Sequence, residues 1–138
     1  METKKRVNNI IRIPTSLDGN FFKFWLGFLL PFHHLTNREI DIAAAFLKER
    51  YALSKVIKDI NLLDKILMNE DTKAKIRKEC DVTTPHFQVI MGKLRKAQFI
   101  IDGKINSKFI PKDIEDNDSA FKVLFYFDFD ADKPRQTL

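Results

Sequence analysis

The sequence predicts an α+β fold, with four to five helices and a small antiparallel sheet. Three stretches carry that expectation. Residues 85–97 place Phe87, Ile90, Met91 and Leu94 at i, i+3, i+4 and i+7, which draws one apolar stripe down a helix. Asp102-Gly103 separates the short apolar runs 99–101 and 104–105. A type I′ turn needs positive φ at both central residues, and Asp-Gly supplies it. Residues 119–130 alternate, with Phe121, Val123, Phe125, Phe127 and Phe129 on one side and Lys122, Leu124, Tyr126, Asp128 and Asp130 on the other. That period of two predicts a half-buried C-terminal strand that joins the hairpin sheet.

With 138 residues, of which 44% are hydrophobic, the chain suits a single domain with a buried core. Residues 1–20 read as a basic N-terminal arm, with a possible edge strand over 7–13 stopped by Pro14 and the turn cluster TSLDGN after it. Residues 21–130 form the domain, and 131–138 read as a tail. From Phe21 to Phe32 the chain is apolar on every side of a helix, which Asn20 caps and Pro31 ends or kinks. A helix apolar all round is buried, by the core of its own chain or by a partner subunit. Thr36-Asn37-Arg38-Glu39 fits a capping box. The helix after it turns Ile40, Ala43, Ala44, Leu47 and Tyr51 inward, with Phe46 widening the stripe, and Arg38, Asp41, Lys48 and Glu49 toward water. Residues 54–68 are amphipathic as one helix or two, with Asn61 the doubtful point.

Asn69 to Thr72 break the chain and cap a short helix ending at Cys80, with Ala74, Ile76 and Cys80 inward. Asp81-Val82-Thr83 is a turn without glycine. The next helix, 85–97, has Thr84 as its cap and Pro85 at its first position, where a missing N–H is harmless. Behind its apolar stripe lie Gln88, Val89, Gly92, Lys93 and Lys96, with Arg95 on the flank. Two helices joined by a short turn, the second basic in front and running into a hairpin over 99–110, resemble the winged helix-turn-helix superfamily.

The charge follows that pattern. Net charge is +5 and pI about 9.3, basic enough to raise nucleic acid as a partner. Residues 1–110 hold 20 Lys and Arg against 12 Asp and Glu, whereas 111–138 hold 4 against 7. Within 72–108 the count is nine to three. The resemblance implies that helix 85–97 enters the major groove of double-stranded DNA. An amide such as Gln88 can bond adenine at two atoms, and Lys93 suits guanine or phosphate. Gly92 admits close approach of the backbone. Lys96, Arg95, Lys73 and Arg77 would hold phosphates, as would Lys104 and Asn106 on the hairpin.

Chemistry finds little purchase. Cys80 is the single cysteine, so neither an internal disulfide nor a cysteine-based zinc site can form. His33 and His34 are neighbours between Pro31 and a cap, a loop position, and chelate poorly. His86 opens the basic helix, facing phosphate or water. No glycine-rich phosphate loop exists and no nucleophile–base spacing stands out, so a non-enzyme without metal or cofactor is expected. The apolar stretch 21–32 contains Lys23 and is too short to span a bilayer. No signal peptide precedes it, so a cytoplasmic protein is expected.

The run from IPTSLDGNFFKFW through PFHHLTNREIDIAAAFLKERY to HFQVIMGKLRK and IDGKIN resembles small proteins encoded by crAss-like bacteriophages of gut Bacteroidales, over residues 10–130. The resemblance implies a bacteriophage protein acting in the bacterial host cytoplasm, or packed into a virion. The expected function is DNA binding in transcription regulation or genome handling. The alternative is a virion structural or protein–protein interaction component, a homodimer or a hetero-complex through Phe21 to Phe32.

Overall fold

Short-range side-chain caps start four of the helices. In the computed structural model, which describes residues 10–112, 114 and 120–132, Thr36 Oγ1 accepts the Glu39 N–H at 3.3 Å while Glu39 Oε1 accepts the Thr36 N–H at 3.0 Å. This capping box opens α3, Asn37–Ser54. Asp59 Oδ1 accepts from Asn61 N–H at 3.0 Å and opens α4, Ile60–Leu67. Asn69 Oδ1 accepts from Thr72 N–H at 2.8 Å and opens α5, Glu70–Glu79. Thr83 Oγ1 accepts from His86 N–H at 3.3 Å and opens α6, Thr84–Lys96. The cap of α6 is therefore Thr83, not Thr84. Pro85 moves to the second position, where its N–H would still have had no partner in the helix.

The fold is α+β and mostly helical, with six α-helices and one two-stranded antiparallel sheet among the described residues. Six helices replace the expected four to five because the 21–32 stretch divides into α1, Phe21–Phe28, and α2, Leu30–His33. Pro31 has no N–H to give the Gly27 carbonyl, so the ladder of α1 stops at Leu29. His33 then repairs the break. The Leu35 N–H donates to His33 Nδ1 at 2.9 Å, which puts the ring proton on Nε2, and Nε2 donates to the Leu26 carbonyl at 2.7 Å. His33 is thus a buried staple inside a helix, not a loop residue. Asn20 gives α1 no side-chain cap, since its Oδ1 accepts from the Thr15 hydroxyl at 2.6 Å instead.

α3 is the hub. It packs on α1, α4, α5 and α6. Its buried side chains are Ile42, Ala43, Ala44, Phe46 and Leu47, with Ile40 and Tyr51 half-buried at the margins. Fully buried Phe46, Phe87, Phe99 and Phe109 fill the centre beside Leu26, Ile76 and Leu94. Each such side chain contributes about 1.5–3 kcal/mol of burial. Trp25 Nε1 donates to the Phe109 carbonyl at 2.8 Å and ties α1 to the segment after the hairpin.

The α1 helix is not apolar-buried all round. Phe21, Phe22 and Leu26 face the core, while Phe24 and Phe28 are exposed, as are Leu30 and Phe32 in α2. Ala74 of α5 is exposed as well, its expected inward place being taken by Thr72. Residues 10–13 form no strand, and the rest of the 7–13 expectation lies outside the described residues.

The sheet holds only β1, Ile100–Ile101, and β2, Lys104–Ile105, with Ile100 opposite Ile105 and Ile101 opposite Lys104. Asp102 at φ 54° and Gly103 at φ 74° make the turn. The expected C-terminal strand is absent from it. From Ala120 to Asp128 the chain has no turn, helix or ladder bond. Phe121 packs against Phe21 and Trp25, at 5.4 and 5.6 Å between ring centres, and Phe125 against Phe28 at 5.5 Å. The first part of the alternating side thus lies against a helix, with no strand beside it among the described residues, while Phe127 and Phe129 remain exposed.

Candidate nucleic-acid interface

Two chain reversals set the candidate face. α5 ends in a left-handed residue, Asp81 at φ 52°, with the Val82 N–H bonded to the Arg77 carbonyl at 3.0 Å and the Asp81 N–H to the Lys78 carbonyl at 3.3 Å. That pair of bonds is a Schellman motif, and Asp81 fills the position glycine usually takes. α6 ends the same way, with Gln98 at φ 63°, Phe99 N–H to Leu94 carbonyl at 2.9 Å and Gln98 N–H to Arg95 carbonyl at 3.0 Å. The second reversal drives Phe99 into the core and delivers the chain directly into β1. A side chain at positive φ is strained, so Gln98→Gly raises unfolding free energy by about 0.5–1 kcal/mol in a urea titration. A lower stability for that variant would contradict the left-handed geometry.

The first reversal is fastened to α3. Arg38 Nη2 donates to the Cys80 carbonyl at 2.5 Å and the Asp81 carbonyl at 3.0 Å. Its Nη1 lies 3.6 Å from Asp41, which also pairs with Lys23 at 3.2 Å. Arg38 thus caps α5 from another helix, where its spacing alone had pointed it at water. Burial raises the Cys80 thiol pKa, against the pull of the Arg38 charge. Glu49 raises the pKa of Lys75 through a hydrogen bond and a contact at 3.0 Å, so Lys75 is held to α3.

On α6, Phe87, Ile90, Met91 and Leu94 are buried. Gln88, Lys93, Arg95 and Lys96 are exposed on the other side, with His86 and Val89, and Gly92 is half-buried. Lys104 is exposed on β2. No carboxylate side chain occurs between Val82 and Ile101. Among the described residues, none of Lys93, Arg95, Lys96 and Lys104 has an ion-pair partner. The helix and the hairpin therefore present four uncompensated positive charges. Asp81 and Asp102 are exposed at the two turns that flank this region.

Two of the expected contact residues have other duties, and a third is less exposed than expected. Asn106 is spent at both ends, donating from Nδ2 to the Gln98 carbonyl at 3.0 Å and accepting the Lys108 N–H on Oδ1 at 3.1 Å. It closes the hairpin onto the end of α6. The Arg77 guanidinium stacks on the buried Phe87 ring, 5.3 Å from its centre, and its Nη1 is buried without a hydrogen-bond partner among the described residues. A guanidinium folded over a core ring is poorly set to grip phosphate. Lys73 is half-buried on α5. No periodicity marks the Arg77 stacking or the Asn106 staple in advance, because each depends on a residue brought close by the fold.

Gly92 has no structural need for glycine. A Cβ built there meets only the tip of Arg95, at 4.0 Å. A mid-helix glycine costs about 0.5–1 kcal/mol relative to alanine. Gly92→Ala therefore stabilises the protein by that amount in thermal or urea unfolding, and a destabilised variant would reveal a hidden clash.

Chain comparisons against family models, curated proteins and solved structures match nothing.

The chemistry of the face must then speak for itself. Among the described residues no group of three or more His, Cys, Asp and Glu side chains is disposed to hold a metal ion, and no helix is long and apolar enough to cross a membrane. An open cleft of about 400 Å³ lies between α3 and the segment after β2, lined by Phe22, Arg50, Tyr51 and Ile110. Its half-buried charge, Arg50, is directed to Asp64 at 4.0 Å. Nothing in that cleft pairs a nucleophile with a base.

Proposed function

We propose that the protein is a DNA-binding module of winged helix-turn-helix type, with α6 as the helix that reads the major groove and the β1–β2 hairpin as the wing. The observation that carries this reading is the combination on α6 of a fully buried apolar stripe with an exposed, carboxylate-free basic front. Lys93, Arg95, Lys96 and Lys104 would neutralise phosphates, with Lys73 at the edge of the contact. Gln88, exposed and N-terminal to both lysines on α6, is the side chain suited to a base edge. Asn106 and Arg77 act in this reading as supports for the wing and the helix. The role is one in transcription or genome handling, in the host cytoplasm if the chain is phage-encoded.

Phosphate contacts make affinity fall steeply with salt. About five of them lower it roughly 500-fold between 50 and 200 mM monovalent salt. A gel-shift or fluorescence-anisotropy titration of a mixed-sequence duplex at several salt concentrations tests the proposal. Affinity that is flat with salt, or absent at low salt, overturns it.

A second reading has its own observation. Exposed Phe24, Phe28, Leu30 and Phe32 on α1 and α2 form an apolar surface of a kind that marks partner contacts. It favours a virion or interaction component that uses the fold as a scaffold. Failure of duplex binding at low salt, together with self-association in light scattering, would select it.

A further inference from the structure

We infer that Val89 reads the C5-methyl group of thymine, and that Val89 and Gln88 together direct α6 to A·T pairs. The inference rests on the DNA reading and adds to it the class of base pair that the helix selects. At about 100° per residue, Pro85, Val89, Gly92 and Lys96 fall nearly opposite the buried stripe, along the outermost crest of α6. Gln88 and Arg95 flank that crest on one side, His86 and Lys93 on the other. Val89 is 61% exposed, whereas Phe87, Ile90, Met91 and Leu94 are buried.

Neither Val89 nor Gly92 serves the fold. A β-branched side chain and a glycine both disfavour a helix relative to alanine. Val89 is not buried in return, and a Cβ at Gly92 would meet only the Arg95 tip. Placed at i and i+3, the two leave the crest low and apolar, between flanks that carry Lys93 and Arg95. A crest of that shape suits the major groove. The low profile at Gly92 lets the helix seat deeply, while the flanking charges meet the phosphates that border the groove. On the groove floor the thymine C5-methyl is the apolar group, and the other base edges offer hydrogen-bond donors and acceptors. A valine side chain has no hydrogen bond to give, so over a G·C pair it would leave those groups unpaired. Gln88, the residue before it, carries the amide that bonds adenine N6 and N7. Both side chains therefore favour the same pair.

Fluorescence anisotropy of the full chain with two duplexes of about 20 A·T pairs in one mixed order tests this. In the second duplex every thymine is replaced by uracil, which removes the methyl and keeps each phosphate and hydrogen-bonding group. The thymine duplex should bind about fourfold more tightly, the factor that burying one methyl supplies. Val89→Ser should bind the two duplexes alike, with the parent's salt slope and an unfolding midpoint close to the parent's. Equal affinity of the parent for both duplexes, or tighter binding of the uracil duplex, with salt dependence intact, overturns the inference and leaves the DNA reading standing. A fourfold preference that survives Val89→Ser overturns the assignment to Val89. Absence of binding to either duplex at low salt overturns the DNA reading and this inference with it.

Discussion

Lys93→Glu together with Lys96→Glu lowers affinity for duplex DNA by about two to three orders of magnitude at moderate salt. Both lysines are exposed and without ion-pair partners among the described residues, so their charge is available to phosphate and is not spent within the fold. In the proposed complex each reversal removes one phosphate contact and adds a repulsion in its place. The salt dependence should flatten as well, by about two in the slope of log affinity against log salt. Both positions lie in the last turn of α6, where a carboxylate opposes the helix dipole, at about 0.3–1 kcal/mol each. A urea titration separates that modest loss from unfolding. Lys93→Gln with Lys96→Gln supplies the intermediate case, losing the contacts without the repulsion. Wild-type affinity in the double Glu variant removes α6 from the interface.

Phe87→Ala lowers unfolding free energy by about 3–5 kcal/mol, a large part of the roughly 5–15 kcal/mol a domain commands. Phe87 is fully buried, and its ring lies 6.3 Å from that of Phe46 on α3. It is the first member of the stripe that seats α6 on the hub. The deletion also strips the floor from the Arg77 guanidinium, whose Nη1 is buried without a hydrogen bond. Urea unfolding followed by circular dichroism gives the value. A loss below about 1 kcal/mol would mean that α6 is not anchored through this residue. Phe87→Leu, which keeps most of the volume, should lose far less.

Much of the site could be read before the fold was known. The stripe Phe87, Ile90, Met91 and Leu94 is buried as its spacing required, and Lys93 and Lys96 behind it look outward. The hairpin turns at Asp102-Gly103 with both φ angles positive. The capping box at Thr36 closes as its letters demanded. Each of these rests on interactions within about one helical turn or one hairpin, where residue identity decides geometry. The contacts of Asn106 and Arg77 could not be read in advance, for the opposite reason. Asn106 bonds the Gln98 carbonyl and Arg77 stacks on Phe87, and only the folded chain puts those groups beside them.

The same division runs through the whole chain. The sequence by itself determined where helices start, which face of α6 is apolar, and where the hairpin reverses. The tertiary structure alone decided what lies against each face. Residues 121–129 alternate as a strand does, yet Phe121 and Phe125 rest on α1, with no strand alongside among the described residues. Phe21 to Phe32 is apolar but for Lys23, yet Phe24 and Phe28 stay exposed because only one side of α1 meets α3 and its neighbours. Periodicity records that a segment has a face to bury. Hydrophobic burial is non-directional, so which surface covers that face depends on distant parts of the chain that no local pattern encodes.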